Sequence, residues 1–149
     1  MDQFSYKQGE LFAEDVPVST ISKSISTPVY IYSTNSIVKN YLDLKESLAG
    51  INNLIFYSVK ANSNVAILKL LASIGAGMDV VSRGEYLRAI AAGVPGELIV
   101  FSGVGKSKAE ISEALSGGIR QFNVESEAEL RVLNDIALFL NMQAPITLR

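Results

Sequence analysis

Leu98-Ile99-Val100-Phe101 is apolar at four successive positions, so a strand built from it is hydrophobic on both faces. Both faces of a strand are covered when it lies in a parallel sheet flanked by helices. Reading outward, strand candidates begin near Leu54, Met78, Leu98, Gln121 and Ile146, about 20–25 residues apart, which is room for one strand–helix unit each. Helical patterns fill the intervals. Val65, Leu68 and Leu71 with Ile67, Leu70 and Ile74 form one broad apolar face, and Leu87, Ile90 and Ala91 form a second. Ile111, Ala114 and Leu115 form a third, and Leu130, Leu133, Ala137 and Leu140 a fourth. The class is α/β with a parallel sheet.

Upstream of this repeat, residues 1–26 read as an irregular leader in which Gly9 and Pro17 interrupt any period. Val29-Tyr30-Ile31-Tyr32 predicts a short strand. Ser33-Thr34-Asn35 offers a helix N-cap, and Ile37, Tyr41, Leu44 and Leu48 continue at helical spacing up to Gly50. Two architectures share such a repeat: a five-stranded doubly wound sheet, or the first half of a (β/α)8 barrel, which normally takes ~250 residues. Ile146-Thr147-Leu148-Arg149 reads as a strand with no helix after it. Because complete sheets rarely leave such an edge bare, the ending predicts a half barrel truncated in its fifth strand.

Composition narrows the chemistry. The 149 residues include no cysteine and no histidine, 48% are hydrophobic, 19% are charged, and the net charge is −2. Serine–histidine and cysteine–histidine nucleophiles are excluded within this sequence, and so are the usual zinc sites, so no metal is expected. The scattered lysines and arginines form no nucleic-acid or anionic-membrane surface. No apolar run is long enough to span a bilayer, and Met1-Asp2-Gln3-Phe4 does not open a signal peptide, so a cytoplasmic protein is expected.

What remains is lysine chemistry, carboxylate chemistry or simple binding. Phe56-Tyr57-Ser58-Val59-Lys60-Ala61-Asn62 alternates as a strand and delivers Lys60 where the strand should stop. Parallel strands present their C-terminal ends on one face, where α/β proteins bind ligands. There Lys60 is either a lysine returning to solvent or an amine presented to a carbonyl. Asp79, Ser82, Glu85, Ser102, Asn123, Glu125 and Arg149 fall at or just after the other strand ends. Several have simpler roles open to them. Glu85 suits the first turn of a helix, Ser102 and Asn123 suit turns, and Ser126-Glu127-Ala128-Glu129 reads as a capping box. Asp79, inside the apolar Met78-Asp79-Val80-Val81, needs a partner, and Lys60 is the economical one.

Two nucleotide motifs fail. Gly103-Val104-Gly105-Lys106-Ser107 ends like a P-loop, but Val100 stands where its first glycine belongs, leaving only weak anion binding at the following helix. Gly75 and Gly77 begin a dinucleotide fingerprint that Val80 breaks.

Taken in order, several segments resemble the pyridoxal-phosphate-dependent diaminopimelate decarboxylases. They are Tyr57-Ser58-Val59-Lys60-Ala61-Asn62-Ser63, Gly77-Met78-Asp79-Val80-Val81-Ser82, Phe101-Ser102-Gly103-Val104-Gly105-Lys106 and Phe122-Asn123-Val124-Glu125-Ser126. Thr27-Pro28-Val29-Tyr30-Ile31-Tyr32 and Pro145-Ile146-Thr147-Leu148-Arg149 fit the same pattern. The resemblance implies an alanine-racemase-type barrel over residues 27–149, with the leader 1–26 joining a C-terminal β-domain. It implies pyridoxal 5'-phosphate as cofactor, Lys60 forming its Schiff base, Asp79 and Arg149 near it, and Glu85, Ser82 and Asn123 as a possible second layer. Arg83 stands where many of these enzymes carry glycine. The implied reaction converts meso-2,6-diaminopimelate to L-lysine and carbon dioxide, the last step of lysine biosynthesis.

The resemblance also implies a homodimer acting on a small amino-acid substrate, with a histidine, a glycine-rich phosphate loop and a catalytic cysteine beyond Arg149. The 149-residue piece alone is therefore expected to be inactive, with weak or absent cofactor binding. The alternatives are a sister decarboxylase of ornithine, arginine or carboxynorspermidine, a non-catalytic cofactor-carrying barrel, or a self-contained five-stranded binding module.

Overall fold

The computed structural model describes residues 3–149, so the first two residues of the leader lie outside it. The chain divides into two compact units, one extending to Ile51 and the other from Asn52 to Arg149.

In the first unit the leader is not irregular. β1 (Phe4–Lys7), β2 (Glu10–Ala13) and β3 (Val16–Pro17) form an antiparallel sheet in that order. Lys7 pairs with Glu10 across a two-residue turn in which Gln8 (φ 53°) and Gly9 (φ 80°) both take positive φ. Two consecutive positive-φ residues match the right-handed twist of a hairpin. The glycine that looked like an interruption is therefore what pairs the strands. The short helix α1 (Val18–Ser24) follows. Val29-Tyr30-Ile31-Tyr32 joins no sheet, and Tyr30 is 87% exposed. Apolar alternation supplies a strand's face but not the partner its backbone needs.

Helix α2 (Thr34–Ser47) starts where the sequence predicts, with Ser33 Oγ accepting the Ser36 N–H at 3.0 Å. Of its apolar stripe only Tyr41 is buried, and burial raises the Tyr41 pKa.

Glu14 joins the hairpin to α2. Its carboxylate accepts the Ser33 hydroxyl at 2.6 Å, the Asn35 backbone N–H at 3.0 Å and the Asn35 amide at 2.9 Å. The Ser33 hydroxyl and then the Asn35 N–H hold the Glu14 pKa below its ordinary value. A depressed folded value means this contribution is fully present above the unfolded value and is lost as pH falls through the folded one. Acidification below about pH 4 is therefore expected to lower the protection of the Asn35 amide against hydrogen exchange. Glu14→Gln should show the lower protection at neutral pH as well. Equal protection at pH 6 and pH 3 in the wild type would discard this link.

In the second unit, β4 (Phe56–Ser58), β5 (Gly77–Val80), β6 (Ile99–Phe101), β7 (Gln121–Val124) and β8 (Ile146–Leu148) form one sheet. Every neighbouring pair is parallel and the spatial order is the sequence order. Right-handed crossovers in an order that never reverses place all helices on one face. That is barrel topology; a doubly wound sheet requires a reversal. The unit is thus the sequential half of a (β/α)8 barrel.

Helices α3 (Val65–Ser73), α4 (Arg83–Ala91), α5 (Lys108–Ser116) and α6 (Glu127–Phe139) alternate with the strands. Helix α5 buries Ile111, Ala114 and Leu115 as its spacing predicts, with about 1.5–3 kcal/mol available from each large side chain. On α4 the prediction is one residue out. Tyr86 and Ala89 face the core, whereas Leu87 and Ile90 are about 40% exposed. The tyrosine ring is the larger apolar body, and burial, followed by the nearby Glu113 carboxylate, raises its pKa.

Among the described residues, no helix is long and apolar enough to cross a membrane. No group of histidine, cysteine, aspartate or glutamate among them is placed to hold a metal ion.

Candidate active site

The five parallel strands end on one rim. There a cleft of about 630 Å³ is lined by Lys60, Asp79, Val81, Ser102, Gly103, Val104, Asn123 and Arg149. This volume is within the range of small-molecule sites. Lys60 and Arg149 follow the two outer strands, β4 and β8, so two cations flank a cleft with one carboxylate between them.

Lys60 sits in a single 3-10 turn, Val59–Ala61, just past β4. Val59 is fully buried and anchors the turn, while Lys60 is exposed. The Tyr57 hydroxyl donates to the Asn62 carbonyl at 3.3 Å, and the Asn62 side chain accepts the Asn64 N–H at 3.0 Å, which fixes the chain leaving the turn. The ion pairs of the described residues do not include Lys60.

Asp79 is half-buried, and its partners are hydroxyls rather than Lys60. Ser58 Oγ donates to Asp79 Oδ2 at 3.4 Å, and Ser102 Oγ donates to Asp79 Oδ1. Strand register explains the difference. Ser58 pairs directly with Asp79 across β4 and β5, whereas Lys60 lies two residues on, where the chain has left the strand.

The hydrogen bonding continues along the rim. Asn123 Nδ2 donates to Ser102 Oγ at 2.7 Å, and Gln121 Nε2 donates to Asn123 Oδ1 at 2.6 Å. Each donor points towards Asp79, a polarity that suits an acceptor-only carboxylate. At the far rim Arg149 Nη1 pairs with Glu125 Oε1 at 2.9 Å, which leaves its other N–H groups available to an anion.

Lys60, Asp79, Asn123 and Arg149 are therefore brought together, while Ser82 and Glu85 stand behind one wall. Ser82 Oγ caps α4 through the Glu85 N–H, and Glu85 Oε2 accepts the N–H of Val81, which lines the cleft. Arg83 lies outside the cleft, in a two-pronged ion pair with Glu113 at 2.6 and 3.1 Å, and that carboxylate raises its pKa.

The anion-binding reading of the Gly103–Ser107 loop does not survive. Lys106 is turned inward, with none of its side chain exposed, and pairs with Glu129 at 2.7 Å. The N-terminus of α5 is occupied by a capping box between Ser107 and Glu110. The backbone N–H of Ser107 is the main cause of the lowered Glu110 pKa. Conversely, the box expected at Ser126 is only half formed. Ser126 Oγ accepts the Glu129 N–H, but the Glu129 carboxylate has gone to Lys106. Sequence reasoning missed this pair. The available signal was that Glu129 shares one helical stripe with Leu133 and Ala137, all three of which are buried.

An amine with no carboxylate partner, a hydroxyl- and amide-lined wall and a cation on the far rim fit an anionic cofactor that carries an aldehyde. Comparison with known proteins agrees. Residues 34–149 match the pyridoxal-binding domain of the pyridoxal-dependent decarboxylases. Over all 149 residues the chain is 47% identical to a diaminopimelate decarboxylase of Pseudomonas aeruginosa, of which it covers 36%. A crystal structure from Aquifex aeolicus superposes with a TM-score of 0.94 at 44% identity, over 99% of this chain and 36% of that one. Diaminopimelate decarboxylase from M. jannaschii, solved with L-lysine, superposes with a TM-score of 0.92 at 36% identity, over 99% and 36%. The chain thus spans 36% of the length of these relatives. On the match across residues 34–149, the chain belongs to the pyridoxal-dependent decarboxylases.

Proposed function

We propose that the chain carries the lysine-bearing part of the active site of a diaminopimelate decarboxylase, a carboxy-lyase that converts meso-2,6-diaminopimelate to L-lysine and carbon dioxide. The observation that carries this reading is the Lys60 amine, without an ion-pair partner, in one cleft with Asp79, Ser102, Asn123 and Arg149. Relatives bearing that name, at 42–47% identity over the whole chain, support the substrate.

In the reaction the bond to one carboxylate breaks, carbon dioxide leaves, and a proton is returned to the same carbon. Pyridoxal 5'-phosphate, when bound, accepts the electron pair that the departing carbon dioxide leaves behind. Lys60 would hold the cofactor's aldehyde group through Nζ, the amine that lines the cleft. Asp79, fixed by Ser58 and Ser102, sets the charge beside that amine, and Asn123 bounds the cleft floor. Arg149, steadied by Glu125, would offer its cation to the cofactor's anionic group. Ser82 and Glu85 act at one remove, by holding Val81.

In the whole protein we assign residues 1–26 to a β-domain and residues 27–149 to the first half of the barrel, in a cytoplasmic homodimer. The test is turnover of the whole protein with meso-2,6-diaminopimelate, ornithine, arginine and carboxynorspermidine. A preference for meso-2,6-diaminopimelate of about 10²-fold in kcat/KM is expected. Faster turnover of any of the others would replace the substrate assignment and leave the family standing.

A further inference from the structure

The Lys106–Glu129 pair stands outside the chemistry proposed above, yet it is buried directly behind the cleft. The two side chains are 0% and 7% exposed. Lys106 Nζ donates to Glu129 Oε1 on α6 and to the backbone carbonyl of Asn123 at the end of β7, each at 2.7 Å. It also lies 5.7 Å from the ring centroid of Phe101, which stacks on Phe122. One cation thus joins β6, β7 and α6 at a single point. Burying two charges is costly, and a well-packed apolar pair of similar volume often serves stability equally well or better. What an apolar pair cannot do is donate to the Asn123 carbonyl.

We infer that Lys106 and Glu129 are positioning residues for the cleft: their buried ion pair holds the Asn123 backbone so that its side-chain amide faces Ser102 and the ligand. The chain of contacts is short. Lys106 fixes the Asn123 carbonyl, Asn123 Nδ2 fixes Ser102 Oγ, and Ser102 Oγ fixes Asp79. Two residues that never touch the ligand therefore orient three that line its cleft. The bearing on cofactor binding rests on the reading proposed above; the bearing on Asn123 does not.

The test compares wild type, Lys106→Met, and Lys106→Met/Glu129→Leu in the whole protein. The readouts are thermal melting, hydrogen exchange of the Asn123 side-chain amide in the cofactor-free state, and pyridoxal phosphate titration. The single variant leaves a buried carboxylate unpaired, and its Tm is expected to fall by about 5 °C. The double variant should recover most of that loss. Even so, it should bind pyridoxal phosphate about tenfold more weakly and exchange the Asn123 amide about tenfold faster, the size of one lost hydrogen bond. Placed on Asn123→Ala, the same pair of substitutions should change affinity by less than about twofold, because the group being positioned is gone.

A double variant with wild-type affinity and exchange would overturn the inference, and so would an undiminished loss on Asn123→Ala. If the double variant does not fold, Glu129→Gln keeps the shape and removes the charge, and a smaller change of the same sign is required. If the wild type does not bind pyridoxal phosphate, the proposed function fails. The amide exchange still decides the role of the pair, and unchanged exchange overturns it.

Discussion

Lys60→Ala is expected to abolish the visible absorbance of bound pyridoxal phosphate in the whole protein and to lower turnover by on the order of 10⁴-fold or more. Among the described residues, the substitution removes the one lysine that lines the cleft. Lys106, the nearest lysine on the neighbouring loops, has no exposed side-chain surface and spends its donors on Glu129 and the Asn123 carbonyl. It cannot stand in. Lys60→Arg should fail as well, because a guanidinium stays protonated and cannot attack an aldehyde. The fold should be unaffected, since Lys60 is exposed and makes no ion pair, and surface changes of this kind stay within about 0.5 kcal/mol. Spectroscopy, turnover and melting on the same preparation make the comparison. Retained cofactor absorbance in Lys60→Ala would end the assignment of Lys60.

Gly103→Ala is expected to produce the largest loss of stability from a single added methyl group at the site. A Cβ at position 103 would lie 2.1 Å from the Val81 carbonyl oxygen and 2.7 Å from its carbonyl carbon, both backbone atoms that cannot swing aside. The turn after β6 therefore has to part from the turn after β5. Gly103 and Val81 both line the cleft, and Ser102 N–H bonds the Val80 carbonyl at 2.8 Å at the same place. Overpacking of this kind costs about 1–3 kcal/mol or more, which in a unit of this size corresponds to a fall in Tm of about 5–20 °C. Cofactor affinity should fall with it, because Ser102 moves with the glycine. A shift in Tm below about 2 °C would show that the two turns are not in contact as described.

Much of the second unit was legible in the sequence because its cues are local. The strands lie where apolar runs and helix stops place them, within a residue or two, and Ser126 caps its helix as its spacing predicts. Convergence of strand ends was legible too, since a parallel sheet dictates it, and it brings Lys60, Asp79, Asn123 and Arg149 into one cleft.

What escaped the sequence depends on partners far along the chain. The leader's hairpin turns on Gln8-Gly9, whose positive φ values carry no asparagine or aspartate to announce them. The partner of Asp79 was set by register, which gave it Ser58 and Ser102 in place of Lys60. Lys106 looked like a loop cation and Glu129 like half of a cap, because neither sequence neighbourhood reveals a contact 23 residues away.

The unreversed strand order also governs when the site can exist during synthesis. Each strand from β5 onward pairs with the strand made just before it, so every sheet contact closes over a short stretch of chain. Each such contact spans about one strand–helix unit, whereas the outer edges of β4 and β8 have no partner among these five strands. The cleft is then assembled in one direction, with the Lys60 rim first, Asp79 and Ser102 next, Asn123 after them, and the Arg149 rim last. The amine is in place long before the cation that faces it, so a nascent chain presents its nucleophile before it can hold an anion against it.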